Sequence, residues 1–311
     1  MSDTISPLPA DFVPVARYHV LHETKYTYQS PVTLSQQYLH LSPLDFRYQH
    51  VLSQHLAVLP EVSDSVQGQD YFGNATRHFA ITVPHQVLIV QSEFSVALGR
   101  RHTPEQIRKS LPWEFMRDTL QFSKIRATQQ ACQFLYASPH VSCSRQLQDY
   151  ALLSYTPGRP QLEAAMDLTQ RIFEDFEFDA KATEISTPLE EVFEGRRGVC
   201  QDFAHLMIGC IRSIGLPACY VSGYILTHPP EGQPRMVGAD ASHAWVSVYC
   251  PTLGWVDFDP TNRCLVQNEH VTLALGRDFS DVTPMRGIVL GGGEQKLDVE
   301  VTMTPIPSAG N

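Results

Sequence analysis

The chain has 311 residues, enough for about two domains at the usual ~150 residues each, and enough to bury a core without disulfide or metal staples. With 43% hydrophobic and 18% charged residues, its composition is that of a globular protein rather than a disordered one. The 23 basic residues against 33 acidic ones leave a formal charge of −10, and the basic runs stop at the pairs Arg100–Arg101 and Arg196–Arg197, which argues against a nucleic-acid or anionic-membrane partner.

The first fifteen residues lack a basic segment followed by an apolar one, and no run approaches the ~20 apolar residues of a spanning helix. A cytoplasmic protein with reduced thiols is therefore expected, and its seven cysteines follow no repeating frame. No CxxC, HExxH or GxxxxGK[ST] string occurs, so neither a metal nor a cofactor is expected.

From residue 17 to 98 the chain reads as strands. Residues 18–28 end at Ser30 and Pro31, residues 54–59 end at Pro60, and residues 76–83 and 87–96 flank Pro84. Their spacing of about ten residues predicts a β-sandwich-like N-terminal domain over residues 1–100. It carries no catalytic constellation, and His22, His40, His50, His55 and His78 within it read as unrelated to chemistry. Residues 101–158 form a helical connecting segment, with short helices expected at 104–109, 112–122, 129–137 and 145–153. The string TPGRP at 156–160 then marks the main boundary.

The third unit, residues 159–311, opens on an amphipathic helix at 161–178. A second helix begins near Val199, with Phe203, Leu206, Met207, Cys210, Ile211 and Ile214 at helical spacing, and Gly215 and Pro217 stop it. Strands follow at 218–226, 244–250 and 254–258, and residues 296–303 add a C-terminal strand extension. The fold class is α+β.

Three residues stand out chemically. Cys200 opens the second helix, where the helix dipole and free backbone N–H groups favour a thiolate. His243 lies at the start of one strand and Asp259 at the end of the next, and antiparallel pairing brings those two ends together. Such a carboxylate orients the imidazole and stabilises imidazolium. Asp257, two residues earlier on the same face, competes for the role. Gln201, Asp202, Tyr224, Asp240 and Trp245 are the candidates for the surrounding substrate cleft, with Trp245 as a packing wall, and Arg277 with Asp278 for an ion pair nearby.

The strings GVCQDFAHLMIGCIRSIGLPACYVSGYI (198–225), DASHAWVSVYCPTLGWVDFDPTN (240–262) and HVTLALGRDFSDVTPMRG (270–287) resemble the bacterial transglutaminase-like cysteine-hydrolase family. HETKYTYQSPV (22–32) and DYFGNATRHF (70–79) are similar to the β domain that precedes this core in the family. The resemblance implies a papain-like core with Cys200 as nucleophile, His243 as general base and acid, and Asp259 as the orienting carboxylate. It implies a peptide or amide substrate and a thioester intermediate. Animal transglutaminases shield that thioester with tryptophans flanking the cleft; here Asp240 stands at one such position, and no tryptophan occurs between Trp113 and Cys200. Hydrolysis is therefore expected over transfer to an amine. Cys219 stands where relatives have arginine.

Overall fold

The computed structural model describes residues 8–9, 11–228 and 241–307. Strand β1 (Pro14–Leu39) is followed by β2 (Gln49–Leu59), β3 (Asp64–Gln69), β4 (Ala75–Ile81) and β5 (His85–Gly99). Tyr18, Val20, His22 and Thr24 of β1 are buried at every second position, the period-2 pattern of a strand with one covered face. The sequence places a break at Ser30–Pro31, and β1 runs through it. The register against β5 shifts between Thr27 and Val32, so the strand bends without ending, and its second half pairs with β4.

Helices α1 (Pro104–Arg108), α2 (Trp113–Phe122), α3 (Arg126–Ala131) and α4 (Arg145–Leu152) follow, close to the expected positions. Next come α5 (Gln161–Asp175), β6 (Glu177–Phe178), α6 (Leu189–Gly195), β7 (Arg197–Gly198) and α7 (Cys200–Ser213). The core sheet is built from β8 (Ala218–Ile225), β9 (Ala241–Cys250), β10 (Gly254–Asp259), β11 (Cys264–Leu265) and β12 (His270–Gly276), in the antiparallel order β11-β10-β9-β8-β12. The chain ends with α8 (Phe279–Val282), β13 (Met285–Gly291) and β14 (Gln295–Pro305).

The C-terminal strands correct the expected extension of the core. β13 and β14 both pair with β1, completing a seven-stranded curled antiparallel sheet. The physical reason is the edge of β1: β5 satisfies one side of its first half, and without β14 the other side would present a row of unpaired N–H and C=O groups. Alternation in residues 296–303 identifies a strand but carries no information on its partner.

The mixed α/β architecture has one large core. Val20, Phe94 and Val96 of the N-terminal sheet join it, as do Leu162 and Leu168 of α5, Leu206 and Met207 of α7, and Val246 and Val248 of β9. A second cluster, including Val32, Phe79, Ile81, Leu88 and Val90, fills the far half of the N-terminal sheet. Helix α7 is buried from Asp202 through Arg212, so the element that opens with Cys200 is held on all sides. Among the described residues, no helix is long and apolar enough to cross a membrane.

Candidate active site

The approach to Cys200 is built from two close contacts. Helix α6 ends on Arg196 in the left-handed region (φ 52), with its guanidinium over the rings of Phe193 at 4.4 Å and Phe176 at 4.6 Å. Arg197 and Gly198 then pair with Glu177 and Phe178, turning the chain into α7. A side chain at Gly198 would meet the Asp202 carboxylate at 2.7 Å, which is why glycine stands immediately before the helix start. Asp202 Oδ2 accepts from Val199 N–H (2.8 Å) and from the Thr183 hydroxyl (2.6 Å). This carboxylate caps the helix that opens with Cys200 and is buried rather than facing a cleft.

His243 is the third residue of β9 and Asp259 the last of β10. The hairpin register pairs Phe258 with Val246, so the two ends meet as antiparallel pairing requires. His243 Nε2 lies 2.7 Å from Asp259 Oδ2, and Cys200 is near enough to act on the same imidazole. With Nε2 taken by the carboxylate, Nδ1 is the ring nitrogen left for sulfur. Burial pulls the His243 pKa down, but the hydrogen bond to Asp259, with the neighbouring Cys200 and the charges of both, outweighs this and raises it to about 10. These contacts favour the protonated imidazole.

Asp259 is completely buried and surrounded by donors. Its Oδ1 accepts from the backbone N–H groups of Thr261 (2.9 Å) and Asn262 (3.1 Å). Oδ2 accepts from His243, from Asn262 Nδ2 (2.7 Å) and from His270 Nε2 (3.0 Å). Desolvation pushes its pKa up, yet the bonds to the two histidines win and hold it well below the usual carboxylate range. Asp257, the competing carboxylate, is in an ion pair with Arg101 and 3.4 Å from Trp245 Nε1. The geometry thus favours Asp259.

His270, at the start of β12, is a second histidine on the Asp259 carboxylate, and sequence reasoning did not find it. Burial lowers its pKa despite the Asp259 bond, and its Nδ1 has no partner. The nitrogens of His243 and His270 and an Asp259 oxygen lie within 4.8 Å of one another, a donor set that resembles a metal site. The 2.7 and 3.0 Å hydrogen bonds already occupy Asp259 Oδ2, so the trio reads as an imidazole-orienting network.

The remaining candidates separate clearly. Gln201, the second residue of α7, is half-buried beside Cys200. Tyr224 is not a cleft residue: only 1% exposed, it bonds through its hydroxyl to His22 Nδ1 at 2.7 Å. This ties the N-terminal sheet to β8, so His22 has a structural role. Trp245 is fully buried between His243 and His270, as a packing wall would be. Asp240 lies outside the described residues. Arg277 pairs with Asp281, not Asp278: the Asp281 carboxylate, in the first turn of α8, turns back to accept from both the backbone N–H and the guanidinium of Arg277. Asp278 instead caps α8 and accepts from His140 N–H at 2.9 Å. Cys219 is buried in β8.

Buried histidines also set a pH window for stability. Burial lowers His22 to about 4 and His205, despite the pull of Asp278, to about 3. Both bind protons in the unfolded chain near ~6.5 and exclude them when folded, so their contribution is present above that pH and lost as pH falls toward 4. His243 has the opposite sign: its contribution is present below ~6.5 and lost as pH rises toward about 10. The urea midpoint is therefore expected to fall on both sides of neutrality, measured at pH 5, 7 and 9. A midpoint rising steadily over that range would contradict the His243 assignment.

Comparison with known proteins agrees with this architecture. Residues 18–97 match the family model of the bacterial transglutaminase-like N-terminal region, and residues 151–260 match that of the transglutaminase-like superfamily. The chain is 37% identical over 298 residues to the uncharacterized protein Rv2569c of Mycobacterium tuberculosis, covering 93% of each. It is 29% identical over 291 residues to the uncharacterized protein ML0607 of Mycobacterium leprae, covering 93% of this chain and 98% of that one. Its fold is similar to the crystal structure of "a Putative Cysteine Protease from Cytophaga hutchinsonii", with a TM-score of 0.74 at 20% identity over 95% of this chain and 92% of that one. The chain belongs to the bacterial transglutaminase-like family, with the family's N-terminal region preceding a transglutaminase-like core.

Proposed function

We propose that the protein is a cysteine-dependent amide hydrolase, a peptidase or amidase working through a thioester. The observation that carries this reading is His243, bonded to Asp259 on one nitrogen and neighboured by Cys200, the first residue of a buried helix. In this reading Cys200 attacks the amide carbonyl as thiolate, and imidazolium His243 protonates the departing amine. Neutral His243 then takes a proton from water, which attacks the thioester and releases the acid. Backbone N–H groups at the start of α7 are available to the developing oxyanion.

Transfer to an amine is the second reading. It is favoured by 33% identity over 107 residues to the protein-glutamine gamma-glutamyltransferase of Pseudomonas aeruginosa, a stretch covering 33% of this chain and 16% of that protein. Hydrolysis is preferred because no tryptophan supports a water shield. Trp113 and Trp245 are buried, and Trp255 packs against Phe134 and Tyr249.

The test is a screen of fluorogenic peptide amides with the wild type and Cys200→Ala, with products identified by mass spectrometry with and without a labelled primary amine. Release of free acid that persists with amine present, and falls by at least about 10⁴-fold in the variant, is expected. Preferential amine incorporation would favour transfer. Full turnover by Cys200→Ala would overturn both readings.

A further inference from the structure

The β9–β10 hairpin has two ends. Its open end carries His243 and Asp259, while its turn, at Leu253, borders a recess of about 410 Å³. The other walls are Arg47 and Tyr48 before β2 and Arg100, Arg101 and His102 after β5. Three guanidinium groups thus line one recess in a chain whose formal charge is −10.

Their charges are poorly compensated. Arg101 is paired with Asp257, but among the described residues Arg47 and Arg100 have no carboxylate partner. Arg47 lies over the Tyr48 ring at 5.3 Å, and Arg101 over the same ring at 5.7 Å, so one aromatic residue holds two guanidiniums in place. The Arg101 side chain is only 5% exposed, and its Nε–H is a buried donor without an acceptor. The exposed guanidiniums of Arg47 and Arg100, without a carboxylate beside them, are what an incoming oxyanion pairs with. Guanidinium forks match the planar or tetrahedral oxygens of carboxylates and phosphates.

We propose that this recess binds a small molecule through an oxyanion group, at a site separate from the cysteine centre and independent of the reaction assigned to it. The volume is within the range of small-molecule sites and larger than a lone phosphate fills, so Tyr48 and Leu253 remain to cover the rest of the ligand. Cys200, His243 and Asp259 do not line the recess, which lies at the turn end of the β9–β10 hairpin.

The experiment is isothermal titration of the full chain at low ionic strength with inorganic phosphate and, separately, with citrate. Each is repeated with Arg47→Ala/Arg100→Ala and with chloride at matched ionic strength. Both substituted residues are exposed, so the variant is expected to keep the wild-type thermal midpoint. Saturable 1:1 binding of at least one anion is expected, weakened by about tenfold or more in the variant and unaffected by chloride. Phosphate binding alone would assign a phosphorylated ligand, and citrate binding alone a carboxylate. Absence of saturable binding, equal affinity in the variant, or displacement by chloride would each overturn the proposal.

Discussion

Asp259→Asn is expected to remove both stability and the working imidazole, although the two side chains have nearly the same shape. Both Asp259 oxygens face donors only: two backbone N–H groups on Oδ1, and two histidines and an asparagine amide on Oδ2. An asparagine must turn its own NH₂ toward one of these sets, leaving at least two buried donors facing a donor. Breaking a buried charged network on one side costs about 3–5 kcal/mol, because the remaining groups keep their desolvation penalty. The expected result is a loss of that size in urea unfolding, with Cys200 alkylation at pH 6 falling to that of an unassisted thiol. Stability within about 1 kcal/mol of wild type would mean that the donor-only reading of the carboxylate is wrong.

Gly223→Ala is expected to act on the same site from beneath. Gly223 in β8 sits opposite His243 of β9 on one side and Thr272 of β12 on the other. A methyl group there would meet the Val271 carbonyl oxygen at 2.1 Å and Trp245 Cη2 at 2.6 Å. Neither can yield cheaply: one is the backbone of a paired strand, and the other is a fully buried ring packed between His243 and His270. Overpacking of this kind costs about 1–3 kcal/mol, and a displacement of about 1 Å at a reacting group can cost ~10²-fold in rate. Urea unfolding and Cys200 alkylation should both register the change. Gly195→Ala is the control: nothing lies within 4 Å of its added methyl, and helix α6 should be unharmed or slightly stabilised. Equal behaviour of the two variants would contradict the account of the sheet beneath His243.

The parts of the site legible in the sequence are those set by local rules. Cys200 stands two residues after Gly198 at the start of an apolar periodicity, and the two strands around the turn at 251–253 bring His243 and Asp259 together by hairpin geometry alone. What stayed hidden depends on long-range pairing. His270 reaches Asp259 only because β12 joins the sheet beside β8, and no spacing within residues 259–270 encodes that choice. The hairpin ends already point to Asp259; what stays hidden is that Asp257 is taken up by Arg101, 156 residues away in sequence. Tyr224 was misplaced for the same reason: its partner is His22, 202 positions earlier. Asp202 shows the reverse error, since proximity to Cys200 suggested a cleft residue where the local need was a helix cap.

The measurement that tests the central claim most directly is the pH profile of Cys200 alkylation, with mass spectrometry to identify the modified residue and His243→Ala for comparison. Thiols paired with imidazolium ionise within ~3.5–7.5, against ~8.5 for a free cysteine, though their lower intrinsic nucleophilicity takes back much of the gain. The account predicts alkylation of Cys200 that stays rapid well below pH 7 and is slowed about tenfold at pH 6 in His243→Ala. A Cys200 that is accessible to the reagent but titrates like a free thiol, equally in both proteins, would contradict a working thiolate–imidazolium pair.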